Sequence, residues 1–324
     1  MLLVQQKQPG NLRALNYLVS IASNHRRGWG GPRRHKTSVG EGRMFGPLPG
    51  RFETKCPEPG SPEKRRIFMD AQQLFTGYLA FCMALLGAAM GSFLACAADR
   101  HGLPTGRSRC DSCGHVLAPR DLVPLFSFLL SRGKCRYCGA PIPLSCLAAE
   151  GLGALSFGAL TLRFGPSSQL GMLLGAAALL LLLSLIDWKE HILPDRLLLV
   201  LGVWRLFWAV LLEENWRETL PDMLLGALSV SLPLLVLSLV MDRLLGKETM
   251  GGGDIKLLFV LGLYQSWLQM ILLVFCACVL ALLFAALGKS RGKEIPFGPF
   301  LAMGWLVVTL WGEGWVQWYL SLLM

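Results

Sequence analysis

Hydrophobic positions in this chain gather into long unbroken runs rather than alternating or falling into heptads. From about residue 73 onward eight apolar stretches follow one another, at about 73–98, 147–163, 168–187, 196–212, 223–241, 255–267, 268–288 and 298–322. A helix needs about 20 consecutive apolar residues to cross the hydrocarbon core of a bilayer. One such run could be a buried helix of a soluble core. Eight in series predict an all-α, polytopic integral membrane protein of about eight transmembrane helices embedded in a lipid bilayer. The second and sixth stretches are marginal in length, so seven or nine spans are also compatible with the pattern.

Composition agrees: 53% of the 324 residues are hydrophobic and 16% charged, with mean hydropathy +0.48. The formal net charge of +10 is concentrated at one end. Residues 1–68 hold thirteen Lys and Arg against four glutamates, and the remainder is nearly balanced. This basic extension is rich in Gly, Pro and Arg and has no sustained apolar period, which is the composition of disordered chain. It lacks a 7–15-residue apolar core before a small-residue cleavage site and so does not read as a signal peptide. No aromatic-basic platform accompanies it, so nucleic acid is not an expected partner.

The loops set an orientation. Residues 99–146 carry a surplus of four positive charges, and the connection Lys289–Glu294 is also basic, whereas Glu213–Asp222 has four carboxylates to one arginine. By the positive-inside rule the first two are cytoplasmic and the third lies outside. Both ends of an eight-span array then lie outside, and the basic extension opposes that placement. The two are reconciled if Met69 is the natural start and 1–68 a mis-assigned one.

Two sets of residues carry candidate chemistry. The loop 99–146 contains "CDSCGH" and "CRYCGA", so Cys110, Cys113, Cys135 and Cys138 form two C-x-x-C pairs with 21 residues between them. Each pair runs into a glycine, Gly114 or Gly139, suited to a knuckle whose N–H groups face the sulfurs. Four thiolates suit tetrahedral Zn2+, and a closed four-cysteine site is structural. A pair of disulfides would use the same residues but is disfavoured in a reducing cytoplasm. The remaining cysteines of the spans (Cys82, Cys96, Cys146, Cys276, Cys278) read as small apolar fillers.

The second set is a pair of aspartates. Asp187 follows seventeen residues without a charge, counted from Leu170 to Ile186, and Asp254 follows three glycines in "MGGGDIKLLF". Each has an ordinary reading, Asp254 as a helix N-cap and Asp187 as the point where a helix leaves the bilayer. Together, at the same membrane boundary, they have the ingredients of an aspartic dyad in which two close carboxylates share one proton. Asp187 closes a helix and Asp254 opens one, which favours Asp254 as general base and Asp187 as proton donor. Gly251, Gly252 and Gly253 would clear space for an extended peptide and permit positive φ.

These motifs resemble the type IV prepilin leader peptidases, the GxGD membrane aspartyl proteases of bacteria. "GGGDIKLL" and "IDWKEHILPD" are similar to the two catalytic boxes, and "GSFLACAADR" to the G-S-F-L-N segment. The paired C-x-x-C-G turns framing "DLVPLFSFLLSRGKC", and "IPFGPFLA" at Ile295–Ala302, complete five motifs in order. The resemblance runs from about Met69 to the C-terminus. It implies three parts: the extension 1–68, a first helix with its four-cysteine loop at 69–146, and a membrane aspartyl protease domain at 147–324. It further implies an enzyme of the bacterial inner membrane, its active site facing the cytoplasm. Asp187 and Asp254 would cleave the basic leader from type IV prepilins or type II secretion pseudopilins. Asp195, in the "LPD" of the first box, reads as a helix cap. N-methylation of the new N-terminus from S-adenosylmethionine is implied by resemblance alone, and Ala95 stands where relatives usually carry asparagine. A presenilin-like protease shares G-x-G-D, but its Y-D and P-A-L boxes are absent. A proton or cation transporter would place paired carboxylates near the midplane of a repeat. A zinc-bearing scaffold leaves Asp254 unexplained.

Overall fold

The computed structural model describes residues 62–99, 108–110, 112–118, 121–212, 216–246, 251–287 and 295–323. Most of the basic extension expected at 1–68 lies outside the described residues, although 62–68 already belong to the first helix.

The described residues form nine helices: α1 (Pro62–Asp99), α2 (Phe126–Leu130), α3 (Leu144–Phe164), α4 (Ser168–Glu190), α5 (Asp195–Leu212), α6 (Trp216–Leu245), α7 (Gly252–Gly262), α8 (Trp267–Ala286) and α9 (Gly298–Leu323). Five are long and apolar enough to cross a membrane: residues 72–99 of α1, α3, α4, residues 219–245 of α6, and α8. Their outward faces carry Phe81, Leu155, Leu235, Phe275 and Leu282, all exposed, as expected where the surrounding solvent is lipid rather than water. The protein is an all-helical membrane protein. Apart from the short α2, each helix falls on one of the eight apolar stretches.

The centre of the bundle is α4. Its Leu173, Ala176, Leu180 and Leu183 pack with Leu201 of α5, Leu258 and Leu261 of α7, Leu273 of α8 and Trp305 of α9. Ser167 caps its start by accepting the Leu170 N–H at 3.2 Å. Its last turn ends at His191, which takes the left-handed conformation at φ 54°. A turn of only residues 191–194 then leads into α5.

α1 and α3 lie against each other through small residues. A Cβ added to Gly87 would meet the Gly153 carbonyl, and one added to Gly91 the Ala149 carbonyl. Gly87-x3-Gly91 facing Ala149-x3-Gly153 is the small-residue pattern that lets membrane helices approach backbone to backbone. The glycine of the "GSFL" segment therefore has a packing role.

α7 departs from the expected span at 255–267. It has 11 residues, about 16 Å at 1.5 Å per residue, or roughly half the hydrocarbon core. The chain turns at 263–266 instead of continuing. Gly262 packs backbone to backbone on Ala227 of α6, with no room for a Cβ. Polar side chains engage the turn: Arg205 Nε donates to the Leu263 carbonyl at 3.1 Å, Tyr264 Oη donates to the Leu201 carbonyl at 2.8 Å, and Gln265 Nε2 donates to Thr309 Oγ1 at 2.8 Å. Arg205 is 7% exposed. A helix end inside a bilayer leaves carbonyls that water cannot reach, and Arg205 answers one of them. The turn is possible because α8 restarts at once, with a capping box between Ser266 and Gln269.

Candidate active site and metal centre

Asp187 lies in the last turn of α4, where its carbonyl accepts the His191 N–H at 3.0 Å. The side chain is buried, 5% exposed. Asp254 is the third residue of α7 and is half-buried. The two carboxyls interact electrostatically, so the fold brings the ends of α4 and α7 to one place. One further contact joins them through the turn after α4, and two more tie α5 and α1 to the same region. Gly253 packs on Leu193, where an added Cβ would stand 3.0 Å from the Leu193 Cβ. Lys256 Nζ donates to both oxygens of Asp195, at 2.7 and 2.9 Å. Lys189, two residues after Asp187, pairs with Asp99 at the end of α1.

Several local expectations change here. Asp254 is not an N-cap: Gly251 holds that position, with no side-chain cap. None of the three glycines uses positive φ, since Gly251 is extended at φ −60° and Gly252 and Gly253 are already helical. Their value is room. A Cβ at Gly252 would meet nothing within 4 Å, whereas one at Gly253 would press on Leu193. Asp195 is the first residue of α5 rather than its cap: the Pro194 carbonyl accepts the first helical N–H groups, from Leu197 and Leu198, and the Asp195 carboxylate is taken up by Lys256.

A contact from α9 could not be read from the local sequence. The Gly298 N–H donates to Asp187 Oδ2 at 3.0 Å across 111 residues. Asp187 therefore stands at two helix ends of opposite polarity, the C-terminus of α4 and the N-terminus of α9. Comparing only the helices that carry the two aspartates no longer distinguishes base from donor. The one signal that pointed to Gly298 was its place inside "IPFGPFLA".

The four cysteines form a second centre. Their sulfurs all lie within 4.8 Å of one another. The two knuckles are built alike: Gly114 N donates to the Cys110 carbonyl at 2.8 Å and Gly139 N to the Cys135 carbonyl at 2.9 Å. Both glycines adopt positive φ, 69° and 73°, which a side chain would resist. A tetrahedron of ~2.3 Å Zn–S bonds has S···S edges of about 3.8 Å; Cys110 and Cys138 are 3.8 Å apart. N–H groups of Cys113 and Ser112 bring the Cys110 thiol down to about 7. For Cys138 the Ala140 N–H pulls down, but desolvation and the three neighbouring thiols prevail and push it up to about 12. Four thiolates this close need a cation among them, so the donor set fits a metal. Around it, His115 packs against Tyr137 with the rings tilted by 34° and centroids 3.7 Å apart, and Tyr137 Oη donates to Asp121 Oδ2 at 3.2 Å. Glu150 of α3 accepts the Leu125 N–H at 2.7 Å and moors the loop to the bundle.

Comparison with known proteins matches two family descriptions. Residues 85–164 match the bacterial peptidase A24 N-terminal domain, and residues 174–286 match the type IV leader peptidase family. A prepilin leader peptidase/N-methyltransferase of Burkholderia pseudomallei (strain K96243) is 37% identical over 224 residues, 66% of this chain and 70% of the relative. A protein of the same description from Aeromonas hydrophila is 34% identical over 229 residues, 68% of this chain and 77% of its own length. One from Pseudomonas aeruginosa is 34% identical over 228 residues, with the same coverage. No solved structure matches the chain.

Proposed function

This chain belongs to the type IV leader peptidase family, and on that premise we propose that Asp187 and Asp254 are the pair that cleaves its substrate. Its activities are those of a prepilin leader peptidase and N-methyltransferase. The substrates are prepilins, with type II secretion pseudopilins as the second class. The observation that carries the assignment is the packing of the start of α7 on the turn after α4, Gly253 against Leu193, which sets a half-buried Asp254 in the electrostatic field of the buried Asp187.

Two carboxyls so placed share a proton. The ionised one draws a proton from water, and the oxygen so activated attacks the scissile carbonyl carbon. The protonated one donates to the carbonyl oxygen as it becomes a hydroxyl. Collapse of the tetrahedral intermediate expels the amine of the new N-terminus, which takes up a proton. Gly251 and Gly252 keep the approach to Asp254 clear, since neither has a side chain and a Cβ at Gly252 would meet nothing. Arg205 sets the level at which α7 ends and so contributes to where α7 presents Asp254.

Zn2+ held by Cys110, Cys113, Cys135 and Cys138 would cross-link the loop between α1 and α3. Four protein ligands leave no position for substrate, so it supplies rigidity rather than catalysis. The methyl donor implied by the relatives' description is S-adenosylmethionine. Ala95, the departure in the "GSFL" segment, is buried at 4% exposure, and its side chain offers no polar atom to such a donor.

The charge distribution of the loops supports a multi-pass bundle in the inner membrane with its basic connections inside. The Asp187–Asp254 end and the four-cysteine loop then face the cytoplasm. Asp187→Asn and Asp254→Asn should each abolish prepilin cleavage in membranes while the protein accumulates normally and still methylates an already cleaved pilin. Cleavage near the wild-type rate by either variant would sink the dyad.

A further inference from the structure

Gly298 lies outside both segments that match the family descriptions, 85–164 and 174–286, yet it touches a proposed catalytic carboxyl. It is the first residue of α9, and the helical ladder begins only with the N–H groups of Phe300 and Leu301, both donating to the Phe297 carbonyl. The Gly298 N–H is one of the free donors every helix leaves at its start. Pro299 follows and has no N–H to offer. The Gly298 donor is spent on Asp187 Oδ2 at 3.0 Å. Side-chain size is constrained at the same point. A Cβ on Gly298 would stand 2.6 Å from Asp187 Oδ2 and 3.2 Å from its Cγ, well inside van der Waals contact.

From these two constraints we infer that Gly298 is a positioning residue for peptide cleavage, its backbone N–H fixing the Asp187 carboxyl by holding Oδ2. This rests on Asp187 being catalytic. Oδ2 is then the oxygen that is held, and Oδ1 is the one left to exchange a proton with Asp254, water or the scissile carbonyl. A carboxyl on the last turn of a helix can turn about χ1 and χ2. A donor from a different helix, with no room beside it, removes that freedom. The side chain must be absent so that the backbone can reach the carboxyl.

The test deletes the donor without adding an atom. Glycolate in place of Gly298, introduced as an α-hydroxy acid, turns the Phe297–Gly298 amide into an ester and replaces N–H by oxygen. The helix loses nothing, because that N–H is outside its ladder. Cleavage of a purified prepilin is measured as kcat and KM, and methylation of an already cleaved pilin is measured on the same preparation. The expected result is a fall in kcat of about 10- to 100-fold, with KM and methylation within about twofold. Gly298→Ala, which keeps the N–H but crowds the carboxyl, should lose kcat to a similar degree. Unchanged kcat in the ester variant overturns the inference, and so does a matching loss of methylation, which would make the N–H a support of the fold. Asp187→Asn is run alongside. If it cleaves normally, the dyad fails; if it is dead while the ester variant is fully active, only the role of Gly298 fails.

Discussion

Gly253→Ala separates stability from catalysis in a way the structure quantifies. Residue 253 is helical with ordinary φ, so alanine meets no backbone strain there. Replacing glycine by alanine inside a helix gains about 0.5–1 kcal/mol. Against that, the new methyl would lie 3.0 Å from the Leu193 Cβ and 3.3 Å from its Cδ1, when carbon pairs prefer about 3.5–4.0 Å. Relief requires Leu193 or the start of α7 to give by a few tenths of an ångström, and overpacking of this kind costs about 1–3 kcal/mol. The net effect on stability is therefore small, a loss of about 0–2 kcal/mol. Catalysis is far more sensitive. Asp254 is the next residue, and a displacement near 1 Å can cost about 100-fold. Scaled to a few tenths of an ångström, prepilin cleavage in detergent should lose about 3- to 10-fold in kcat, while thermal unfolding shifts by only a few degrees. Leu193→Gly in the same chain removes every atom that collides, the Cβ included, and should restore most of the kcat. Wild-type cleavage by Gly253→Ala, or no recovery in the double variant, would refute the claim that this contact sets the position of Asp254.

Asp195→Asn should cleave within about threefold of wild type, because it weakens an exposed ion pair with Lys256 of the class worth about 0–1 kcal/mol; complete loss in the same cleavage assay would place Asp195 in the chemistry. Purified protein should contain about one zinc per chain by elemental analysis, and Cys110→Ser with Cys113→Ser should lose it, with faster proteolysis of the loop between α1 and α3. Metal-free protein with an intact loop would count against that centre. Arg205→Leu removes the donor to the Leu263 carbonyl and should destabilise the protein by about 1–3 kcal/mol, the cost of a buried group left unpaired, read as a lower midpoint of thermal unfolding. An unchanged midpoint would show that the turn does not depend on Arg205.

The helices were largely legible because burial in lipid requires continuous apolar length. The stretch 168–187 became Ser168–Glu190 and 298–322 became Gly298–Leu323. The cysteine knuckles were legible too, since C-x-x-C-G is a local turn whose geometry depends on its own residues. α7 was not. Gly262 and the polar Gln265 and Ser266 stand inside the stretch 255–267, but what ends the helix is the close approach of Gly262 to Ala227 together with Arg205, partners that lie outside it. The pairing of Lys256 with Asp195 escaped for a similar reason. Two residues apart on a helix, Lys256 and Asp254 do not face each other, and the partner comes from the start of α5. The donor to Asp187 was least accessible, being a backbone group whose chemistry is the same at nearly every position.

The shortness of α7 also decides what its carboxylate is levelled against. A full-length transmembrane helix takes its height from the two lipid–water interfaces, and it tilts or slides when bilayer thickness changes. α7 reaches only one of those interfaces. Its other end rests on Arg205 and on the α6 backbone at Ala227, so its datum is protein. Asp187 is referenced to the same bundle through α9. The two carboxyls are thus surveyed from a common benchmark inside the protein, and a bilayer that thickens or thins moves them together rather than apart.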